Sequence, residues 1–174
     1  MITVIAATNR HGSYTRKVAT IYYQLLKEKY SDARFLSLED LPDDFLHTYM
    51  YDKRSNAFQD LLDKKIIPAK KLVFVCPEYN GSIPGILKLF IDGGDIVQGF
   101  RGKRVALVGV ATGRAGNLRG LDHLTDIIHH IGTEVLAYKI PISQVDKLMN
   151  AEGQFITDDT PKLLQKQIDL LLKF

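Results

Sequence analysis

Residues 72–85 have the sequence LVFVCPEYNGSIPG, which contains the clearest signal for the type of β-sheet in this protein. Five consecutive apolar residues predict a short strand that is buried on both faces. A turn rich in proline and glycine follows, and Pro84 begins a segment of helical period that runs to about Asp92, because proline is favoured in the first turn of a helix. A buried strand that passes directly into a helix indicates a parallel α/β sheet.

The same alternation extends outward in both directions along the chain. Further strands are predicted over residues 2–7, 34–38, 104–111 and 134–140. Further helices are predicted over residues 14–29, 55–67 and 117–131, with a last helix opening at Pro161. Five strands that alternate with five helices predict one parallel sheet covered on both faces, and residues 1–174 as a single domain.

Charge and cysteine content narrow the class of protein. The net charge of +3 comes from scattered basic residues, so a nucleic-acid partner is not expected. Cys76 is the only cysteine and cannot form an internal disulfide, which favours a reducing compartment and predicts a cytoplasmic protein. No apolar run approaches the roughly 20 residues of a membrane helix.

In parallel sheets, ligands bind beyond the carboxyl ends of the strands, which directs attention to three loops. The first loop, residues 8–15, joins a strand to a helix N-terminus, where free N–H groups and the helix dipole favour an anion. Hydroxyl groups on Thr8, Ser13 and Thr15 and the guanidinium of Arg10 favour a phosphate. The alternative is an ordinary helix N-cap at Ser13. The loop lacks both the P-loop and the GxGxxG pattern.

The other two loops also follow predicted strands. Residues 77–85 contain two prolines and two glycines, which would present backbone groups to a planar ligand beside Tyr79, or would simply form a rigid turn. Residues 111–117 include Gly113 and Gly116, which allow the backbone to approach a ligand closely. The same loop contains Arg114, for which the sequence leaves three alternatives open: it faces a ring carbonyl, it faces a phosphate, or it is an ordinary surface arginine.

Other residues with reactive side chains have structural interpretations. Cys76 is expected to be a buried structural thiol, and the histidines have no zinc-site spacing, so no metal is predicted. The sequence leaves three alternatives open for the aromatic residues Phe45, Tyr49 and Tyr51. They pack under their own loop, they line the entrance for a substrate, or they join a dimer interface.

Taken together, the loops resemble those of the NADPH-dependent FMN reductase family, the flavodoxin-like group that includes bacterial chromate, quinone and azo-dye reductases. The matching stretches are residues 8–19, 77–88 and 112–119, and the order and spacing agree over most of the chain. Within them, Pro77 to Ser82 is the most specific part. Thr8 and Thr15 stand where the family usually has serine or asparagine, and Asn117 where it often has glycine.

The resemblance implies a flavodoxin-like sheet of order 2-1-3-4-5, bound FMN, NADPH as reductant, a small-molecule electron acceptor and a homodimer or homotetramer. Position by position, it implies that Arg10, Ser13 and Thr15 bind the FMN phosphate. It likewise places residues 77–80 along the isoalloxazine, with Thr112 and Gly113 near its pyrimidine edge. The candidate cofactor-binding residues are therefore Thr8, Arg10, Ser13, Tyr14, Thr15, Pro77, Glu78, Tyr79, Asn80, Gly81, Thr112, Gly113, Arg114 and Gly116. No side chain is predicted to be catalytic, because the cofactor supplies the chemistry.

Two other functions remain compatible with the sequence. One is a flavodoxin-type electron carrier that binds FMN without oxidising a nicotinamide; such carriers are typically strongly acidic, whereas this chain carries +3. The other is a non-redox module that uses the first loop to bind a different phosphate-bearing ligand.

Overall fold

A computed structural model describes residues 1–174 and contains one parallel β-sheet. Its strands are β1 (Ile2–Ala6), β2 (Ala33–Ser37), β3 (Lys71–Pro77), β4 (Arg104–Val110), β5 (Glu134–Val135) and β6 (Ile140–Ile142). The order is β2-β1-β3-β4-β5, and β6 also pairs with β4. This is the flavodoxin order, and the predicted strand order 2-1-3-4-5 is confirmed.

Helices cover both faces of this sheet. They are α1 (Tyr14–Lys29), α2 (Asn56–Lys65), α3 (Gly85–Gly93), α4 (Leu118–His130), α5 (Val145–Leu148) and α6 (Asp159–Lys173), with a 3-10 turn at Leu38–Asp40 and a π-helical turn at Ile96–Phe100. The 3-10 turn, the π-helical turn and α5 were not predicted from the sequence. None of the helices has the length and apolar character needed to span a bilayer.

The prediction of one fifth strand over residues 134–140 is wrong. β5 pairs with Arg104 and Val105, whereas β6 pairs with residues 108–110, further along β4. Gln167 of α6 is completely buried, and its Nε2 donates to Leu107 O at 3.0 Å and to Tyr138 O at 2.7 Å. The side-chain amide of Gln167 therefore supplies a hydrogen bond to the Leu107 carbonyl of β4, at the point where the strand pairing is interrupted.

The core has two layers, one on each face of the sheet. α2, α3 and α4 pack on one face, and α1 and α6 pack on the other. Phe45 belongs to the first layer, with its ring centroid 4.7 Å from that of Phe58, whereas Tyr49 and Tyr51 are exposed. In α6, Leu164 and Leu171 are buried against the sheet, whereas Leu163 and Leu170 face outward.

Candidate functional site

The three loops singled out in the sequence meet at one cleft at the carboxyl ends of β1, β3 and β4. The cleft has a volume of about 270 Å³. Its walls are formed by residues 8 and 10–15 of the first loop, 77–79 of the second, and 110–112 of the third, together with Val145 of α5. The sheet order explains this convergence, because β1, β3 and β4 are adjacent and parallel, so their carboxyl ends lie at one edge.

The first loop presents unpaired backbone donors to the cleft. Ser13 caps α1, and its Oγ accepts a hydrogen bond from Arg16 N at 3.1 Å. The backbone N–H groups of His11, Gly12 and Ser13 make no hydrogen bond within the chain. The ordinary N-cap is therefore present, and free donors for an anion lie beside it at the positive end of the helix.

The second loop forms a tight turn beside the cleft. Tyr79 and Ser82 exchange two backbone hydrogen bonds of 3.0 Å, and the residues between them, Asn80 and Gly81, have φ values of 52° and 76°. This is the geometry of a type I′ turn, for which Asn-Gly is a preferred sequence. Tyr79 lines the cleft, whereas Asn80 and Gly81 form the tip of the turn and are not among the lining residues.

A polar contact joins the first and second loops. Thr8 Oγ1 lies 3.4 Å from Tyr79 Oη and also accepts a hydrogen bond from Arg10 N at 3.2 Å. Thr8 is almost completely buried, with 1% of its surface exposed. The Thr8 side chain therefore contacts both the backbone of the first loop and the hydroxyl group of Tyr79.

The third loop places only Thr112 of its candidates in the wall of the cleft. Gly113 and Arg114 are exposed and lie outside the lining, and Gly116 is buried away from it. Asn117 is buried with a φ of 66°, and its Nδ2 donates to Cys76 O at 3.0 Å. Burial raises the pKa of the Cys76 thiol to about 12, which agrees with the predicted structural role of this cysteine.

An ion-pair network at the rim of the cleft was missed by the sequence analysis. Glu39 Oε1 lies 2.6 Å from His11 Nδ1, and Arg16 Nη1 donates to Glu39 Oε2 at 2.5 Å. Hydrogen bonds from His11 and Arg16 hold the pKa of Glu39 below its ordinary value. Glu39 is remote in sequence and lies in the 3-10 turn after β2, so no local pattern could have identified it.

Comparisons with known proteins agree with this architecture. The family model of the NADPH-dependent FMN reductases matches residues 1–146. A 2-hydroxy-1,4-benzoquinone reductase of a Burkholderia species is 26% identical over 172 residues, covering 97% of this chain and 92% of that protein. An NAD(P)H-dependent FMN reductase of Pseudomonas aeruginosa is 32% identical over 111 residues, covering 62% of this chain and 60% of that protein.

A solved structure gives the same fold over nearly the whole chain. It is the flavoenzyme NAD(P)H:(acceptor) oxidoreductase FerB of Paracoccus denitrificans, with a TM-score of 0.77 and 23% identity, and the match covers 99% of this chain and 94% of that chain. The strand order, the convergence of the three loops and the family match lead to one conclusion: the chain is an oxidoreductase of the NADPH-dependent FMN reductase family.

Proposed function

We propose that the protein binds FMN in the cleft. The protein would use the bound FMN to oxidise NADPH and to pass the electrons to a small acceptor such as a quinone. The observation that carries the proposal is that the free donors of the first loop and the wall formed by Tyr79 meet in one cleft. Residues 1–174 act in this proposal as one FMN-binding domain. The cofactors follow from the family, which uses FMN and NAD(P)H.

The first loop is suited to the FMN phosphate. Ser13 and Thr15 provide hydroxyl groups, Arg10 provides a guanidinium, and His11 and Gly12 provide free N–H groups. Together with the positive end of α1, these groups form a donor set that a phosphate fits. Tyr14 and Thr8 complete this end of the cleft, with Thr8 acting mainly by holding the loop.

The other two loops are suited to a flat ring. In the proposal, Pro77, Glu78 and Tyr79 lie along one side of the isoalloxazine, and Thr112 lies at its pyrimidine edge together with the neighbouring Gly113. Asn80 and Gly81 act by shaping the turn that positions Tyr79, and Gly116 acts by shaping the third loop. Arg114 is exposed beyond the lining, where it is free to meet an incoming phosphate.

When bound, FMN supplies the chemistry of accepting hydride from NADPH and of delivering two electrons to an acceptor. The residues of the chain bind the cofactor, orient its ring and exclude water from its inner side. Val110, Ala111 and Val145 provide apolar surface there.

The proposal is tested by the absorbance spectrum of the purified protein. Titration of the flavin-free protein with FMN should give saturable binding, which is measured by the quenching of FMN fluorescence. Anaerobic NADPH should then bleach the flavin absorbance, and a benzoquinone should restore it. A flavodoxin-type electron carrier would bind FMN but leave it oxidised when NADPH is added. Failure to bind FMN at all would contradict both interpretations and favour a different phosphate-bearing ligand.

Two further parts of the proposal concern the environment of the protein. We propose a cytoplasmic location, supported by the single buried thiol, and a homodimer or homotetramer, supported by the exposed side chains of Leu46, Tyr49 and Tyr51. Light scattering of the purified protein measures the oligomeric state, and a monomer at micromolar concentration would contradict that part.

A further inference from the structure

A basic groove lies at the edge of the sheet opposite the cofactor cleft. It has a volume of about 500 Å³ and is found where β3 begins at Lys71, β4 at Arg104 and β5 at Glu134. The cofactor cleft lies at the carboxyl ends of the same strands, so the two sites share no lining residue. Nothing in the proposed flavin chemistry uses this groove.

The groove contains more positive charge than the chain has overall. Five cations line it, and Glu134 is the only carboxylate, so its formal charge is +4. The whole chain has 23 cationic and 20 acidic residues, a net of +3, which leaves −1 for the rest of the molecule. The cations are Lys70, Lys71, Arg101, Lys103 and Arg104.

Two of these cations are fixed by the ends of helices. Lys103 is 7% exposed, and its Nζ donates to Ile66 O and Ile67 O at 2.8 Å, just beyond the end of α2. The Nζ of Lys71 donates to the carbonyls of Leu171 and Leu172 near the end of α6, at 2.7 and 3.0 Å. Carbonyls at a helix C-terminus offset part of a positive charge but are not full counter-charges. Both lysines are therefore fixed at the base of the groove, where burial lowers the pKa of Lys103 to about 8.

The other three cations are available to a ligand. Lys70 and Arg101 are exposed and form no ion pair. Arg104 has only a loose pairing, 3.5 Å from Nε to Glu134 Oε2, and its guanidinium lies over the ring of Phe174 at 5.2 Å. Burial, and secondly the charge of Arg104, lower the pKa of Lys71. Glu134 is the only carboxylate in the lining, so it offsets only part of the repulsion between the cations. A bound anion would relieve this repulsion.

We propose that the basic groove binds a free oligophosphate anion. Guanidinium groups bind phosphate in a bidentate manner, and the groove lies in the size range of small-molecule sites. At Gly102, which lines the groove, the space above the backbone is open, so an anion can approach closely. A nucleic acid needs a basic track along its backbone, whereas these cations are gathered in one groove of ten residues.

The test is isothermal titration calorimetry of the full chain with inorganic triphosphate at physiological salt, without and with saturating FMN. We expect saturable binding with one site per chain, unchanged by FMN. The variant K70E/R101E should raise the Kd at least tenfold. The matched control K53E/K162E makes the same change in net charge at two exposed lysines outside both sites and should leave the Kd within twofold. FMN binding by both variants shows that they are folded.

Four results would overturn the proposal. The first is the absence of saturable triphosphate binding to the wild-type chain, and the second is an equal loss of triphosphate affinity in the two variants. The third is loss of triphosphate binding when FMN is added. The fourth is a single-stranded oligonucleotide that binds more tightly than triphosphate and depends in the same way on Lys70 and Arg101. Equal loss would show general attraction by net charge. Competition with FMN would place the triphosphate in the cofactor cleft.

Discussion

Gly116 lies against Pro141 so closely that a β-carbon on Gly116 would be 2.7 Å from the carbonyl carbon of Pro141. Gly116 also has a φ of 57°, in the left-handed region that glycine adopts most easily. The third loop is thus packed on β6 through its backbone. Glycine at this position is explained by packing and does not require direct approach to a cofactor.

Replacing Gly116 by alanine should strongly destabilise the protein. The added methyl group would force the third loop and β6 apart and would hold a strained backbone, at a combined cost of about 2–4 kcal/mol. Gly113→Ala is the control, because a β-carbon there would meet no atom within 4 Å. Urea denaturation measures both free energies of unfolding. Similar losses in the two variants would contradict the packing explanation.

The contact between Thr8 and Tyr79 should appear as an energetic coupling between the first and second loops. Thr8→Val and Tyr79→Phe each remove one partner, and in the double variant the two losses should fall short of additivity by about 0.5–1 kcal/mol. The free energies of unfolding are measured without FMN, so direct contacts to the cofactor do not contribute. Strictly additive losses would show that the oxygen atoms, 3.4 Å apart, do not interact.

Arg10→Ala should weaken FMN binding by about 1.5–3 kcal/mol, which is the range of a hydrogen bond to a charged group. Arg10 lines the cleft in the first loop, where we propose that the phosphate binds. Arg34→Ala, which removes an exposed arginine from β2, is the control and should leave FMN affinity unchanged. Fluorescence titration measures both variants. An unchanged affinity in Arg10→Ala would remove this residue from the proposed phosphate site.

The network around Glu39 predicts a dependence of stability on pH. The folded-state pKa of Glu39 lies below its ordinary value of 4.5, so the stabilisation is complete above pH 4.5 and is lost as the pH falls through the folded pKa. The Glu39→Gln variant should lack this pH-dependent stabilisation. Its free energy of unfolding should be lower than that of the wild type above pH 4.5, and the difference should shrink as the pH falls below 4.5. Glu28→Gln, at an exposed carboxyl of α1 with no ion pair, should follow the wild-type profile. A constant difference across the acid range would contradict the assignment.

Most elements of the fold were predictable because their signals are local. The helix predicted over residues 14–29 matches α1 in both bounds, since Ser13 caps it and its apolar residues recur at helical spacing. The division of the fifth strand was not predictable. At the interruption, Gln167 donates to Leu107 O and Tyr138 O, and it does so from a helix almost thirty residues further along the chain than Tyr138.

The position of the candidate site was predictable, but not the location of each residue in it. The rule that ligands bind beyond the carboxyl ends of parallel strands directed attention to three loops, and the structure brings these loops together at one cleft. Sequence alone did not separate Tyr79, which lines the cleft, from Asn80, which lies at the tip of the turn. Val145 and Glu39 were missed because tertiary packing brings them to the site.

Val145 has a consequence for the synthesis of the protein. The walls of the cleft come from residues as early as Thr8 and as late as Val145, with β3 and β4 between them. A growing chain therefore lacks one wall of the cleft until α5 has been synthesised and has packed against the earlier elements. Parallel strands pair slowly because they join distant segments. The cleft is consequently completed only after β1, β3, β4 and α5 have all been made and have come together.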